Sequence, residues 1–112
     1  MALATDLQNL LGCWLLVTGQ QTVDAGDRVE MQFKPSGELV YAIHEAEKWK
    51  LMWLTFKLQG GVIISNQPST PREDRTDFSF PAPDQLSLDH SGDITSYKRL
   101  TNCTFPQVSR QQ

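Results

Sequence analysis

Hydrophobic and polar residues alternate along much of the chain. Val29, Met31 and Phe33 are apolar and the residues between them are polar, and the same period of two runs through 76–80 and 85–89. Successive side chains of a strand point to opposite faces of its sheet, so this period places the apolar side chains on one side. The pattern therefore predicts antiparallel strands that bury one face and expose the other.

Turn-forming residues separate eight such runs. Between Gly12 and Leu100 the runs recur about every 11 residues, a spacing typical of sandwiches and barrels. Short connections make neighbours in sequence neighbours in space, and closure into a barrel leaves no exposed strand edge. We predict an all-β fold, an eight-stranded antiparallel up-and-down barrel with strands over 13–21, 28–34, 38–44, 48–58, 62–67, 74–80, 85–90 and 94–100.

A short helix is predicted before the first strand. Thr5 or Asp6 is placed to cap a helical turn over 7–11, and Gly12 is placed to end it. This turn would plug one end of the barrel.

The length predicts one domain. A chain of 112 residues builds one hydrophobic core. We assign 1–112 to a single barrel domain with its core over 5–100. The tail, 101–112, is polar and is predicted to fray, with a docking of Phe105 as the alternative.

Composition and charge narrow the function classes. With 39% hydrophobic and 21% charged residues, the chain has the composition of a globular protein and not of a disordered tail. A net charge of -3 argues against nucleic-acid binding, which needs a basic surface. No apolar run approaches the roughly 20 residues that span a bilayer. The first residues lack a positive charge and include Asp6, so we expect no signal peptide and a cytoplasmic location.

Two sequence features resemble the lipocalins and the wider calycin superfamily. Gly12-x-Trp14 follows the short helix, and Tyr97-x-Arg99 lies in the last strand. The resemblance implies that Arg99 lies across the Trp14 ring and closes one end of the barrel. A guanidinium on an indole face is favourable cation–π geometry. Because the chain is much shorter than a secreted lipocalin and lacks its long C-terminal helix, it resembles the small bacterial lipocalin-like domains more than the secreted proteins.

The predicted function is non-enzymatic binding of a small hydrophobic ligand in the barrel cavity. Such a site needs an apolar wall with a few polar groups. The phase of the strands predicts a wall of Met31, Tyr41, Trp53, Phe78 and Tyr97. Two alternatives stay open: a lipocalin-like cyclase or isomerase of a small hydrophobic substrate, and a filled barrel that acts as an interaction module.

Other candidate chemistry is weak. Cys13 and Cys103 are expected to be thiols, because disulfides are rare in the cytosol. His44, Glu45 and Glu47 are too few, without a second histidine nearby, for a metal site. We therefore expect no metal, no cofactor and no catalytic residue.

The predicted strand 48–58 is apolar on both faces. Only one face can point into a barrel, so the other would leave an apolar patch of a few hundred Å² in water. We expect a homodimer to cover this patch. Two alternatives are that the segment around Phe105 covers it or that a bulge turns the surplus residues inward. The two faces are Trp49, Leu51 and Trp53, and Met52, Leu54, Phe56 and Leu58.

Overall fold

In a computed structural model, the described residues are 4–18, 28–67 and 73–106. They form one short helix and eight strands, so the predicted all-β class is confirmed. The strand bounds agree with the sequence prediction to within two residues, except that residues 19–21 of the first predicted strand lie outside the described residues. The elements are α1 (Ala4–Leu10), β1 (Gly12–Thr18), β2 (Arg28–Phe33), β3 (Glu38–Glu45), β4 (Lys48–Gln59), β5 (Val62–Asn66), β6 (Glu73–Ala82), β7 (Gln85–His90) and β8 (Asp93–Leu100).

The strands close into a barrel in the order of the sequence. Each strand pairs antiparallel with its sequence neighbours, and β8 pairs with β1. The up-and-down topology is as predicted. Because every strand has two partners, none presents a free edge for another chain to pair with.

The inner face carries the main hydrophobic core. Trp14, Phe33 and Leu86 are each at most 2% exposed and belong to one cluster. The Phe33 and Phe56 rings meet edge to face with centroids 5.1 Å apart. Burying a side chain of this size contributes roughly 1.5–3 kcal/mol, so this cluster is a main source of stability.

Arg99 closes one end of the barrel against Trp14. Its Cζ lies 4.3 Å from the Trp14 ring centroid, which is the arrangement that the lipocalin resemblance implies. Arg99 Nη1 donates to the Leu11 carbonyl at 3.0 Å and Nη2 donates to the Asn9 carbonyl. The guanidinium thus satisfies carbonyls at the end of α1 that have no partner within the helix.

Gly12 makes this close approach possible. Its φ of 117° lies in the region that favours glycine, and a Cβ there would be 3.2 Å from Arg99 Nη1. Two residues later, Trp14 Nε1 donates to the Leu10 carbonyl at 2.8 Å. Gly12 and Trp14 therefore both help to form the closed end of the barrel, where Arg99 lies on Trp14 beneath α1; this closed end is here called the plug.

Residues 101–106, here called the strap, pack over the outer face of the barrel. The expectation that Cys13 and Cys103 are thiols was wrong: they form a disulfide with Cα atoms 5.3 Å apart. Phe105 is 3% exposed and packs with Val40 and Ala42. The predicted fraying is therefore wrong for 101–106, and 107–112 lie outside the described residues.

A buried carboxylate lies beneath the strap. Glu30 is 0% exposed on the outer side of β2. It accepts hydrogen bonds from the Thr104 backbone N–H at 2.9 Å and from the Thr104 hydroxyl. Arg28 Nε lies 3.0 Å from its Oε2. A buried charge is tolerated only when it is paired and hydrogen-bonded, so Glu30 ties the strap to β2.

β4 is apolar on both faces because its inner face joins the barrel core and its outer face packs in the cluster that includes the strap. Leu54, Phe56 and Leu58 pack into the inner cluster. Trp49, Leu51 and Trp53 pack into an outer cluster that includes Phe105. The segment around Phe105 therefore covers part of the surplus apolar face, as one alternative anticipated.

Replacing both cysteines, Cys13→Ala with Cys103→Ala, is expected to lower the free energy of unfolding. The cysteines are 90 residues apart, and releasing a loop of that length costs about 2–5 kcal/mol. Urea unfolding measures the change. Thr101→Ala, at an exposed position of the strap, serves as the control and should leave the midpoint unchanged. An unchanged midpoint in the double variant would contradict the prediction.

Arg99→Lys is expected to destabilise the barrel by about 1.5–3 kcal/mol, because lysine cannot reproduce the planar fork that reaches two carbonyls and stacks on indole. Thermal unfolding measures the loss. The neighbouring Lys98 is exposed, so Lys98→Arg is a matched control that should show no change. Equal stability of both variants would show that the plug contributes little.

Candidate functional site

Four of the five residues predicted to line a pocket lie together on the inner side of the barrel. Met31 and Tyr97 are 4% and 5% exposed and belong to the inner cluster. Tyr41 and Phe78 are partly buried and pack against it. They come from β2, β8, β3 and β6, so side chains distant in sequence meet in one packed group, here called the wall.

Trp53 does not join this wall. It packs in the outer cluster, and Lys34 Nζ lies 5.3 Å from its ring centroid. The phase of β4 explains the difference, because Leu54 and Phe56 take the inner positions on either side. Its expected place inside the cavity is therefore corrected to the outer face.

Tyr41 and Tyr97 supply the hydroxyl groups of this wall. Burial raises the pKa of Tyr41 above its usual value of 10.0. Burial raises the pKa of Tyr97 to about 12, opposed by a hydrogen bond with Thr95 and reinforced by the charge that Tyr41 would carry if ionised. Both phenols are thus neutral hydrogen-bond donors at physiological pH.

Polar residues mark the end of the barrel opposite Trp14. On β6 and β7, the Thr76 hydroxyl and His90 Nδ1 are 3.2 Å apart. At the adjoining ends of β3 and β4, Lys50 Nζ lies 3.5 Å from Glu45 Oε1. The wall therefore lies between the arginine–tryptophan plug at one end of the barrel and polar side chains at the other.

The outer surface carries a cleft that the sequence did not predict. It has a volume of about 470 Å³ and contains both Cys13 and Cys103. Gln32 Oε1 is buried in the same region, with no hydrogen-bond partner among the residues that the structure describes. Its lining combines residues of β1, β2, β8 and the strap, so no local pattern signals it. The other lining residues are Gly12, Arg99, Leu100, Thr101 and Asn102.

Within the described ranges, no group of three or more His, Cys, Asp and Glu side chains is arranged to hold a metal ion. His44 instead lies with its ring centroid 4.7 Å from that of Trp49. In the same part of the chain, no helix has the length and apolar character needed to cross a membrane.

The fold and the wall define a class of protein: a closed eight-stranded antiparallel β-barrel with an arginine–tryptophan plug, consistent with a lipocalin-like fold. No model of a known protein family matches the sequence. No curated protein matches it either. Function is therefore argued from the residues of the barrel themselves.

Tyr97→Phe is expected to reduce the fall in the free energy of unfolding that the wild-type protein shows at high pH. The unfolded phenol ionises near pH 10.0 and the folded one near 12, so its contribution is complete below pH 10 and is lost as pH rises through 12. The loss is about 2–3 kcal/mol for a shift of this size. Urea unfolding at pH 9 and pH 11.5 measures it in both proteins. Lysines titrate equally in both proteins, so their effect cancels in the comparison. An equal loss of unfolding free energy in wild type and variant would therefore contradict the prediction.

Proposed function

We propose that the chain is a lipocalin-like protein of the calycin superfamily and that it binds a small hydrophobic molecule inside its barrel without transforming it. The observation that carries the proposal is the wall formed by Met31, Tyr41, Phe78 and Tyr97. This wall combines apolar surface with two neutral hydroxyl donors, the composition of a small-molecule site.

The chemistry of the wall selects the ligand class. Its four side chains carry no charge, so a charged group would lose hydration without gaining a partner there. The Tyr41 and Tyr97 hydroxyls can donate to a carbonyl or ether oxygen. We therefore propose an uncharged, largely apolar ligand that carries a hydrogen-bond acceptor.

Binding inside the barrel is tested by displacement of a hydrophobic fluorescent probe with a long-chain methyl ketone and with the alkane of equal length. We expect Tyr97→Phe and Tyr41→Phe to weaken ketone binding about 5- to 10-fold, the value of one hydrogen bond. Alkane binding should stay unchanged, because the ring is retained.

Trp53→Phe is the control for this titration, because Trp53 lies in the outer cluster. It should leave the affinity for both ligands unchanged. Failure of the wild-type protein to bind the probe, or a loss of affinity in Trp53→Phe alone, would contradict a site inside the barrel.

The homodimer predicted from β4 stays a proposal. The strap supplies part of the cover that Trp49, Leu51 and Trp53 require, which reduces the area left for a second copy. Light scattering at micromolar concentration tests it. A mass about twice 12.7 kDa supports the dimer, and a mass of 12.7 kDa contradicts it.

A cytoplasmic location stays an expectation, and the Cys13–Cys103 disulfide weighs against it. Disulfides persist in oxidising compartments and are kept reduced in most cytosols, where those that form are generally transient. The bond therefore indicates either an oxidising location or a reversible role.

A further inference from the structure

We propose that the Cys13–Cys103 disulfide is a reversible clasp, which a dithiol reductant opens by attack on Cys103, and that opening it releases the strap from the outer face of β2–β4. This inference is independent of the proposed ligand. It concerns the opposite side of the barrel wall and rests on the strap, the cleft and the buried carboxylate.

The cleft gives a reductant access to one sulfur more than to the other. Cys13 lies within β1 and is 8% exposed, whereas Cys103 lies in the strap and is more exposed. The cleft of about 470 Å³ is lined by both cysteines and opens to solvent. Disulfide exchange depends on access to the attacked sulfur, so Cys103 is the point of attack.

The geometry of the attack makes Cys13 the leaving group. Exchange at Cys103 Sγ displaces the other sulfur of the bond, which belongs to Cys13. Gln32 lies opposite Cys13 in the β1–β2 register and lines the same cleft. Its Oε1 has no hydrogen-bond partner among the described residues, so an acceptor is available to the thiol that forms.

The exchange proceeds in two balanced steps. One thiolate of the dithiol attacks Cys103 Sγ, a mixed disulfide forms, and Cys13 leaves as a thiolate that takes up a proton. The second thiolate attacks the sulfur of its own molecule and releases Cys103, which is protonated in turn. Two electrons and two protons pass to the protein, and the dithiol becomes a disulfide.

Besides the disulfide, the strap is held through Thr104 and Phe105. Thr104 donates two hydrogen bonds to Glu30, and Phe105 packs in the outer cluster with its ring centroid 5.9 Å from that of Trp49. Four of the six strap residues are exposed, and segments with little buried surface open locally, so we expect the disulfide to be the contact that prevents opening. Once the strap leaves, Glu30 regains water and the face bearing Trp49 becomes exposed.

The test is reduction of the wild-type protein in native buffer by dithiothreitol, the dithiol used as probe. We expect the rate of reduction to rise in proportion to the dithiothreitol concentration, because the native protein is attacked directly. Hydrogen exchange read by mass spectrometry should then show protection within 101–106 falling at least 10-fold. Protection of β7 should be unchanged, and tryptophan fluorescence should shift to the red.

Two results would overturn the proposal. One is a reduction rate that does not depend on dithiothreitol and equals the rate of global unfolding, which would make the disulfide purely structural. The other is a strap that stays protected after reduction.

Phe105→Ala is the matched variant for this experiment. It removes the aromatic contact and keeps the disulfide, so the oxidised variant should retain most strap protection and lose it on reduction. If the oxidised variant already loses strap protection to the level of the reduced wild type, Phe105 holds the strap and the clasp is refuted. Cys103→Ser should match the reduced wild type without any reductant.

Discussion

The antiparallel pairing of β1 with β8 is the constraint on which the other features depend. It closes the sheet, and its register places Trp14 opposite Arg99 and Cys13 opposite Leu100. The first pair forms the plug at one end of the barrel. The second pair means that the chain leaves β8 directly beside Cys13, so three residues suffice to bring Cys103 to it. Plug and strap are therefore two consequences of one closure.

The alternation of side chains along β2 and β3 connects the two faces of the barrel. Met31 and Tyr41 point to the inner wall, while Glu30, Val40 and Ala42 lie under the strap. The same backbone thus carries an uncharged interior and a buried carboxylate on its outer side. The strap excludes water from these outer groups. Its Phe105 covers the apolar residues, and its Thr104 supplies hydrogen-bond donors to the Glu30 carboxylate.

Much of the fold follows from local pattern. A period of two, interrupted by turn residues, was enough to predict eight strands and their closed order, and four of the five predicted wall residues share the interior. Trp53 was placed on the wrong face because 48–58 is apolar in both phases, so its period cannot choose the inner side. Which face of β4 points inward depends on which face is buried by another part of the chain on the outside of the barrel. Phe105, more than fifty residues away in the chain, packs against the outer face.

The sequence by itself determined the features that depend on neighbouring residues. These are the strand period, the turn positions, the short helix and the Gly-x-Trp motif at the closed end of the barrel. What only the tertiary structure decided depends on contacts over long separations. Thr104 meets Glu30 across 74 residues, and Cys103 meets Cys13 across 90. A polar tail and two isolated cysteines carry no local signal of such contacts. The strap exists because barrel closure brings these segments together, and the Cys13–Cys103 disulfide, together with the contacts of Thr104 and Phe105, keeps them there.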